Sequence, residues 1–286
     1  MFVGKGKITM IDTAAKPTLI LGGTGKTGRR LADRLTAQGL PVRIGSRSGT
    51  PPFDWESNTT WAPALDGVGA VYISYYPDLA VPGAAEAVGA FANLAVASGV
   101  RRLVLLSGRG ETEAQRAEEM LKASGADWTI LRCAWFSQNF SESFLLDPLL
   151  AGEVALPVGT VGEPFVDADD IADAAVTVLT RQGHVGQLYE LTGPRLLSFA
   201  EAVAEIGKVA GRDVRFKRIS HAEFTAAVAG YELPAEFAWL LNELFTEVLD
   251  GRNEALTDGV ERVLGRAPKD FSAYATETAG TGIWSD

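Results

Sequence analysis

The chain has 286 residues, 47% of them apolar and 22% charged, and a formal net charge of −10 at pH 7. A chain of this length can bury a large core, either as one α/β domain or as a main domain with a small lobe. Its negative field repels nucleic acid and anionic lipid, so we expect neither as a partner.

The sequence contains few features of disulfide-bonded, metal-binding or membrane proteins. The single cysteine, Cys133, excludes a disulfide within the chain and a cysteine-rich metal site. Two histidines, His184 and His221, are too few for a metal cluster without carboxylates, and we expect no metal.

The apolar stretch 79–100 is rich in Ala and Gly and contains polar residues, which favours a helix packed on a sheet over a membrane span. Residues 1–16 contain no apolar run of signal-peptide length, so we expect a loose N-terminal extension and a cytoplasmic protein.

Short apolar runs alternate with helical patterns over the first half of the chain, which is typical of parallel βαβ units. The predicted strands there are residues 18–21, 42–46, 70–74, 102–107 and 127–132. The predicted helices between them are residues 25–38, 84–98 and 112–124. The turn-rich segment 50–68 holds at most one further short strand.

The second half of the chain has a mixed pattern. Predicted strands are residues 187–193 and 213–220, and predicted helices are residues 167–180, 198–211, 221–229, 234–249 and 258–264. Ser198 and Glu201 have the spacing of a capping box at the start of one of these helices. We interpret Asp167, Asp169 and Asp170 as helix-capping acids, and a metal site is the alternative. The amphipathic helix from residue 234 either covers a cleft or forms the face of a homodimer.

The loop after the first strand, LGGTGKTG, ends like a nucleoside-triphosphate P-loop. The P-loop pattern, however, requires a glycine where this chain has Ile20 inside the strand. Gly22, Gly25 and Gly28 instead fit a G-x-x-G-x-x-G dinucleotide motif, whose backbone N–H groups and helix dipole bind a pyrophosphate. A glycine-rich turn without a ligand is the alternative. The cofactor contacts expected here are Gly22, Thr24, Gly25, Lys26 and Thr27.

The three glycines have different expected roles. Gly22 permits the tight turn, and Gly25 lets the backbone approach the pyrophosphate. Gly28 lets the helix pack against the strand.

The end of the second strand bears on the choice of cofactor. An NAD-preferring site has an acidic residue there to bind the ribose 2′-hydroxyl. This chain instead has Arg47 between Ser46 and Ser48, and a guanidinium with two hydroxyls suits a 2′-phosphate. We therefore expect Ser46 and Arg47 to bind the cofactor and favour NADP(H) over NAD(H). A solvated loop arginine is the alternative interpretation.

Several stretches together resemble the NmrA-like, atypical branch of the short-chain dehydrogenase/reductase superfamily. They are LGGTGKTGRRL, ASGVRRLVLLS, SGADWTILRCAWFSQNF, PFVDADDIADAAV and YELTGP. Within that branch, ELTGP and VERVLGRAPKDFSAYA are most similar to the agroclavine dehydrogenase-like group. The resemblance extends from residue 18 to about residue 274.

The resemblance implies an α/β fold with a nicotinamide cofactor across the strand ends. We expect a Rossmann-type, doubly wound parallel sheet over residues 17–152. A smaller, mostly helical C-terminal lobe over residues 153–286, interleaved with that sheet, would bind the substrate.

One departure from the superfamily concerns its catalytic pair. Most members use a tyrosine, and a lysine four residues later, after the strand that corresponds to residues 102–107. The stretch 107–125 of this chain contains no tyrosine, and Lys122 lies too far along its helix. We infer that the acceptor needs no strong protein acid or that the protein only binds the cofactor.

Further cofactor contacts are expected at the carboxyl ends of the strands, at Ser74, Tyr75, Ser107, Gly108, Cys133 and Ala134. Candidate catalytic groups are Ser107, Tyr76 and Asn139. Backbone capping by Ser107 and structural packing of the tyrosines are the alternatives. For Arg109 and Glu111, in the next loop, a solvated pair is favoured over a catalytic one.

The segment CAWFSQNF is expected to pass the nicotinamide and turn towards an aromatic substrate. Its candidate substrate contacts are Trp135, Phe136, Asn139 and Phe140. The alternative is that these aromatic residues form a core between the two parts of the chain. A nucleophilic Cys133 is not favoured, because no histidine is near it in sequence.

Two functions are compatible with these features. The first is an NAD(P)H-dependent oxidoreductase of secondary metabolism that transfers hydride to an activated acceptor, a quinone or an iminium of a polycyclic aromatic substrate. Reduction of a quinone could also prime the product for oxygenation. The second is a non-catalytic redox sensor of the NmrA type, for which the substrate lobe would be superfluous.

Overall fold

The computed structural model describes residues 16–230 and 234–285. The expected N-terminal extension lies, apart from Lys16, outside the described residues. The strands are β1 (Thr18–Leu21), β2 (Val42–Gly45), β3 (Ala70–Ile73), β4 (Arg102–Gly108), β5 (Asp127–Cys133), β6 (Glu153–Leu156), β7 (Gln187–Leu191) and β8 (Arg215–Arg218). The α-helices of the described part are α1 (Lys26–Ala37), α2 (Trp61–Leu65), α3 (Ala84–Ala97), α4 (Thr112–Ala123), α5 (Leu146–Leu150), α6 (Ala168–Thr180), α7 (Phe199–Ala210), α8 (His221–Ala229), α9 (Ala235–Glu243), α10 (Gly259–Leu264) and α11 (Phe271–Ala279).

The main sheet confirms the predicted α/β fold. Its six strands are parallel and lie in the order β2-β1-β3-β4-β5-β7. Along β1, Leu19 and Leu21 face a core formed with α3 and α4, whereas Ile20 faces a core formed with α1 and α6. Helices therefore cover both faces of the sheet, which is why its strands read as continuous apolar runs.

The segment after β2 forms no strand among the described residues, although the sequence allowed a short one. It forms a turn and then α2, and its aromatic side chains pack on the sheet. Phe53 and Trp61 contact Phe91 of α3 at ring-centroid distances of 5.6 and 5.8 Å. The indole of Trp61 also donates a hydrogen bond to the carbonyl of Asp54 at 2.8 Å. Aromatic burial therefore replaces strand pairing at this edge.

A second core lies in the C-terminal part of the chain. The two-stranded parallel sheet β6–β8 packs with α7 and α11 around Phe165, Phe199 and Phe271. The sequence did not predict β6 or α11. Strand β7 follows residue 152 and yet completes the main sheet, and α6 covers one of its faces, so the two parts of the chain interleave. The division at residue 152 stays a proposal. No helix of the described residues is both long and apolar enough to cross a bilayer.

The acids at the start of α6 are capping and ion-pairing groups, as predicted. The side chain of Asp167 accepts the backbone N–H of Asp169 at 2.7 Å. Asp169 pairs with Arg34 of α1 at 2.7 Å, and the buried Asp170 pairs with Arg266 at 2.6 Å. The N-terminus of α6 thereby joins α1 to the chain after α10.

Gly28→Ala should destabilise the fold, because a Cβ at this position would overlap the backbone carbonyl oxygen of Gly22. Backbone atoms cannot yield without moving the loop, so we expect a loss of about 1–3 kcal/mol in the free energy of unfolding. Urea denaturation measures this loss. Gly25→Ala is the matched control, since its Cβ would lie 3.2 Å from the same oxygen and φ is −78°. Equal stability of both variants and the wild type would contradict the close packing.

Candidate functional site

A cleft of about 550 Å³ opens at the carboxyl ends of β1, β3, β4 and β5. This is the edge at which doubly wound sheets bind ligands, and the volume suits a small-molecule site. Of the residues predicted from the sequence, those that line the cleft are Gly22, Thr24, Gly25, Lys26, Thr27, Ser74, Tyr75, Tyr76, Ser107, Gly108, Cys133, Ala134, Trp135, Phe136 and Asn139. Ser46, Arg47 and Phe140 lie outside it.

The glycine loop presents bare backbone N–H groups to one end of the cleft. Gly22 has φ +67°, a conformation that favours glycine, and its carbonyl accepts the N–H of Gly25 at 2.9 Å. Helix α1 then begins with no side-chain cap and no acidic residue in its first turn. Its first N–H groups are therefore available to an anion, and the loop fits a dinucleotide pyrophosphate.

Local positive charge accompanies these N–H groups despite the acidic chain. Lys26 lines the cleft, and burial lowers the pKa of its amine, an effect that the carboxylate of Glu142 opposes. Arg29 also lines the cleft and pairs with Glu142, which pairs with Arg30 at 2.7 Å as well. A phosphate at the glycine loop would thus approach Lys26 and Arg29. The carboxylate of Glu142 attracts the first and pairs with the second.

Arg47 and Ser46 stand apart from the cleft, just beyond β2. Arg47 is exposed and makes no hydrogen bond or ion pair with the described residues, while the hydroxyls of Ser46 and Ser48 are 3.4 Å apart. Because Gly45 pairs with Leu21 in the sheet, these residues lie beside the glycine loop. Their role at a 2′-phosphate stays a prediction.

Ser107 lines the cleft, but its hydroxyl proton is engaged elsewhere. The hydroxyl donates to Glu118 at 2.7 Å, and Glu118 is fully buried. Arg132 neutralises that carboxylate through a hydrogen bond of 2.9 Å from Nε, and it also reaches Glu190 at 2.8 Å. Ser107 therefore offers the cleft only its oxygen lone pairs.

Phe140 was expected to contact a substrate, but it does not line the cleft. Trp135 lines the cleft and packs against Phe199 and Phe245 at ring-centroid distances of 5.4 and 5.2 Å. Phe140 is 0% exposed and lies 5.4 Å from Phe165 in the C-terminal core, so it has no free surface for a substrate. Asn139 lines the cleft, and its side chain makes no hydrogen bond with the described residues.

Among the remaining candidates, Tyr76 is 68% exposed at the mouth of the cleft. Tyr75 packs on Trp55 at 4.8 Å, and burial raises the pKa of its hydroxyl. Burial likewise raises the pKa of the Cys133 thiol, which makes it a poor nucleophile.

Acidic side chains in the cleft were missed or misread in the sequence. Asp78 and Glu111 both line the cleft, and their carboxyl groups share a hydrogen bond. The expected solvated pair of Arg109 and Glu111 is wrong, because the Arg109 side chain is 8% exposed and donates to the carbonyls of Asn253 and Ala255. The position of Asp78 in the loop after β3 was a usable signal, since ligand sites gather there.

Glu163 is a further acid that the sequence did not reveal. It is fully buried, and one carboxyl oxygen accepts the N–H of Trp135 at 3.1 Å. Its other oxygen has no partner among the described residues. Burial raises the pKa of Glu163 to about 7.

The C-terminal helices close the cleft from above. Phe237, Leu240 and Leu241 of α9 line it, together with Leu244 in the π-helical turn that follows. Of the two interpretations left open for this amphipathic segment, covering the cleft is the one that the structure bears out.

A family model described as NAD(P)H-binding matches residues 22–182. This chain belongs to the NAD(P)H-binding family. Festuclavine synthase I of Penicillium roqueforti is 31% identical over 90% of this chain and 96% of its own length. Agroclavine dehydrogenase of Claviceps fusiformis is 28% identical over 94% of this chain and 99% of its own length.

Solved structures share the fold at low identity. An NADPH-dependent quinone oxidoreductase from Escherichia coli, in complex with NADPH, superposes with a TM-score of 0.73 at 24% identity, covering 91% of this chain and 99% of its own. A Citrobacter triphenylmethane reductase complexed with NADP(H) gives 0.73 at 18% identity, with 92% and 99% covered. NmrA, a negative transcriptional regulator, gives 0.71 at 16% identity, with 94% and 97% covered.

These relatives confirm the expected NmrA-like, atypical short-chain dehydrogenase/reductase and its NAD(P)H-binding domain. The coarse activity expected from the sequence, an NAD(P)H-dependent oxidoreductase, is confirmed with them.

Glu163→Gln should flatten the dependence of stability on pH. The folded pKa of about 7 lies above the usual value of 4.5, so the native protein binds more protons than the unfolded chain between these values. Wild-type stability therefore falls over this range as pH rises, and the glutamine variant lacks that contribution.

We expect the stability gain of Glu163→Gln to be larger at pH 8 than at pH 5 by about 2 kcal/mol. Chemical denaturation at both pH values measures it. The matched control is Glu119→Gln, at an exposed carboxylate of α4. A gain that is the same at both pH values would show that Glu163 titrates normally.

Proposed function

We propose that this chain is a reductase that prefers NADPH and transfers hydride to an acceptor that is already electrophilic, a quinone or an iminium of a polycyclic aromatic substrate. One observation carries the proposal: a single cleft runs from the uncapped N-terminus of α1 to the aromatic and aliphatic side chains of Trp135, Phe136 and α9. The first end suits a pyrophosphate, and the second suits a flat apolar ring system.

The acceptor class is supported by the names of the relatives. Agroclavine dehydrogenase and festuclavine synthase are named for alkaloids, and the proteins of similar fold include quinone and triphenylmethane reductases. The stretch 107–125 has no tyrosine, so the usual Tyr–Lys pair is proposed to be absent. An acceptor with a carbon that is already electrophilic needs less help from such a pair. Reduction of a quinone would also give an electron-rich product able to react with oxygen, so net hydroxylation is part of the proposal.

A non-catalytic sensor is the second candidate, because NmrA shares the fold and the stretch 107–125 contains no tyrosine. The part of the cleft beyond the glycine loop, which Trp135, Phe136 and α9 line, argues against a sensor. A protein that senses the dinucleotide alone has no use for a substrate chamber.

Arg47→Asp should weaken NADPH binding more than NADH binding, by about tenfold or more, because it replaces a charge-assisted contact with repulsion of the 2′-phosphate. Fluorescence titration with both dinucleotides measures the two affinities. Arg101→Asp is the control, since Arg101 is exposed at the opposite end of the sheet. Equal losses for both dinucleotides would remove the reason for preferring NADPH.

The protein should oxidise NADPH when offered neutral quinones, iminium compounds or cationic dyes. The loss of reduced-nicotinamide absorbance with a panel of these acceptors measures turnover. Gly25→Val is the control, because a side chain at Gly25 fills the space for the pyrophosphate at a backbone φ of −78° that valine adopts. Binding of NADPH without turnover on any acceptor would favour the sensor.

A further inference from the structure

Glu111 lies between two cavities. It lines the cleft, and it also lines a separate groove of about 430 Å³ on the outer side of the loops after β3 and β4. Among the described residues that line the two cavities, no other is shared. The groove is open to solvent, because Glu86 and Glu247, which pair with Arg116 and Arg252, line it with half-exposed side chains.

The carboxyl group of Glu111 meets that of Asp78 on the cleft side. Asp78 is fixed in turn by the N–H of Ala80, which it accepts at 2.9 Å. Two carboxyl groups that share a hydrogen bond cannot both ionise near neutral pH, so the pair retains one proton. Burial, and then the charge of Asp78, raises the pKa of Glu111 well above its usual range. The charge of Lys26 opposes the rise that burial causes in the pKa of Asp78.

The pair lies at the end of β4. The carboxyl group of Glu111 occupies the space that a Cβ on Gly108 would take, so a side chain at Gly108 would displace it. The charge of Glu111 is also felt by Cys133, at the end of the neighbouring strand. Gly108 and Cys133 are both expected cofactor contacts, and the segment that begins at Cys133 is expected to pass the nicotinamide.

Other proton donors in the cleft are less suited. The proton of Ser107 is held by Glu118, and Tyr76 lies at the exposed mouth. Glu163 lines only the cleft and is fully buried, so it has no second path to solvent. Glu111 retains a proton and can be reached both from the cleft and from the outer groove.

We propose that Glu111 and Asp78 share one proton and deliver it to an oxygen of a quinone acceptor, and that the outer groove returns a proton to Glu111 from solvent. This inference rests on the proposed function. NADPH held at the glycine loop would supply a hydride with two electrons, becoming NADP⁺. With the proton of the pair, that hydride would convert the quinone to the hydroquinone. The doubly ionised pair then takes one proton from water in the groove. The groove makes this return possible while cofactor and substrate fill the cleft.

Glu111→Gln and Asp78→Asn test the delivery step with two acceptors. A neutral quinone needs the proton, whereas a cationic triphenylmethane dye is neutralised by hydride alone. We expect kcat for the quinone to fall about 100-fold to 1,000-fold and kcat for the dye to change less than about threefold. Glu119→Gln should leave both rates unchanged, because its carboxylate is 71% exposed and lies outside both cavities. Equal losses on both acceptors, or no loss on the quinone, would overturn the proposal.

A second measurement needs neither cofactor nor acceptor. The infrared spectrum of the cofactor-free protein at pH 8, where Glu163 is mostly ionised, should contain the carbonyl band of one protonated carboxyl group. That band should disappear in Glu111→Gln, and its absence from the wild type would contradict the shared proton. A wild type that keeps the band but reduces neither acceptor would instead refute the proposed function, and the delivery step with it.

Discussion

Helix α1 begins on backbone N–H groups that no side chain of the described protein caps, and the site is organised around this end. Gly28 lets the helix press against the loop that precedes it, because any larger residue would overlap the carbonyl of Gly22. Arg34 ties the same helix to Asp169 of α6. The N-terminus of α1 is therefore held rigidly towards the cleft with its dipole uncompensated, and an anionic ligand supplies the missing cap.

The cleft divides into two electrostatic parts, although the chain as a whole is acidic. Lys26 and Arg29 accompany the glycine loop, so attraction for phosphates is local and short-ranged. Asp78, Glu111 and Glu163 also line the cleft, and burial raises the pKa of each carboxyl group. Asp78 is close enough to Lys26 for their charges to interact, so the groups suited to hold a cofactor adjoin those suited to handle a proton.

The sequence predicted the features that depend on local pattern. The glycine loop, the strands that carry the cleft and the acids that cap α6 follow from short spacings and apolar runs. Features that depend on distant contacts escaped it: Phe140 is buried because Phe165 packs on it, and the pKa of Glu111 is raised by desolvation and by Asp78, which lies against it. Nothing local marks Glu163, whose environment is created by Trp135 and the chain around it.

The ion pairs at the start of α6 constrain how the protein moves. Asp170 binds both Arg266 and the backbone N–H of Lys269, and its neighbour Asp169 holds α1. Detaching residues 266–269 from α6 would strip a buried carboxylate of its partners, which costs about 3–5 kcal/mol. We therefore expect the chain after α10 to stay docked on α6, which in turn holds α1 and the glycine loop in front of it in place.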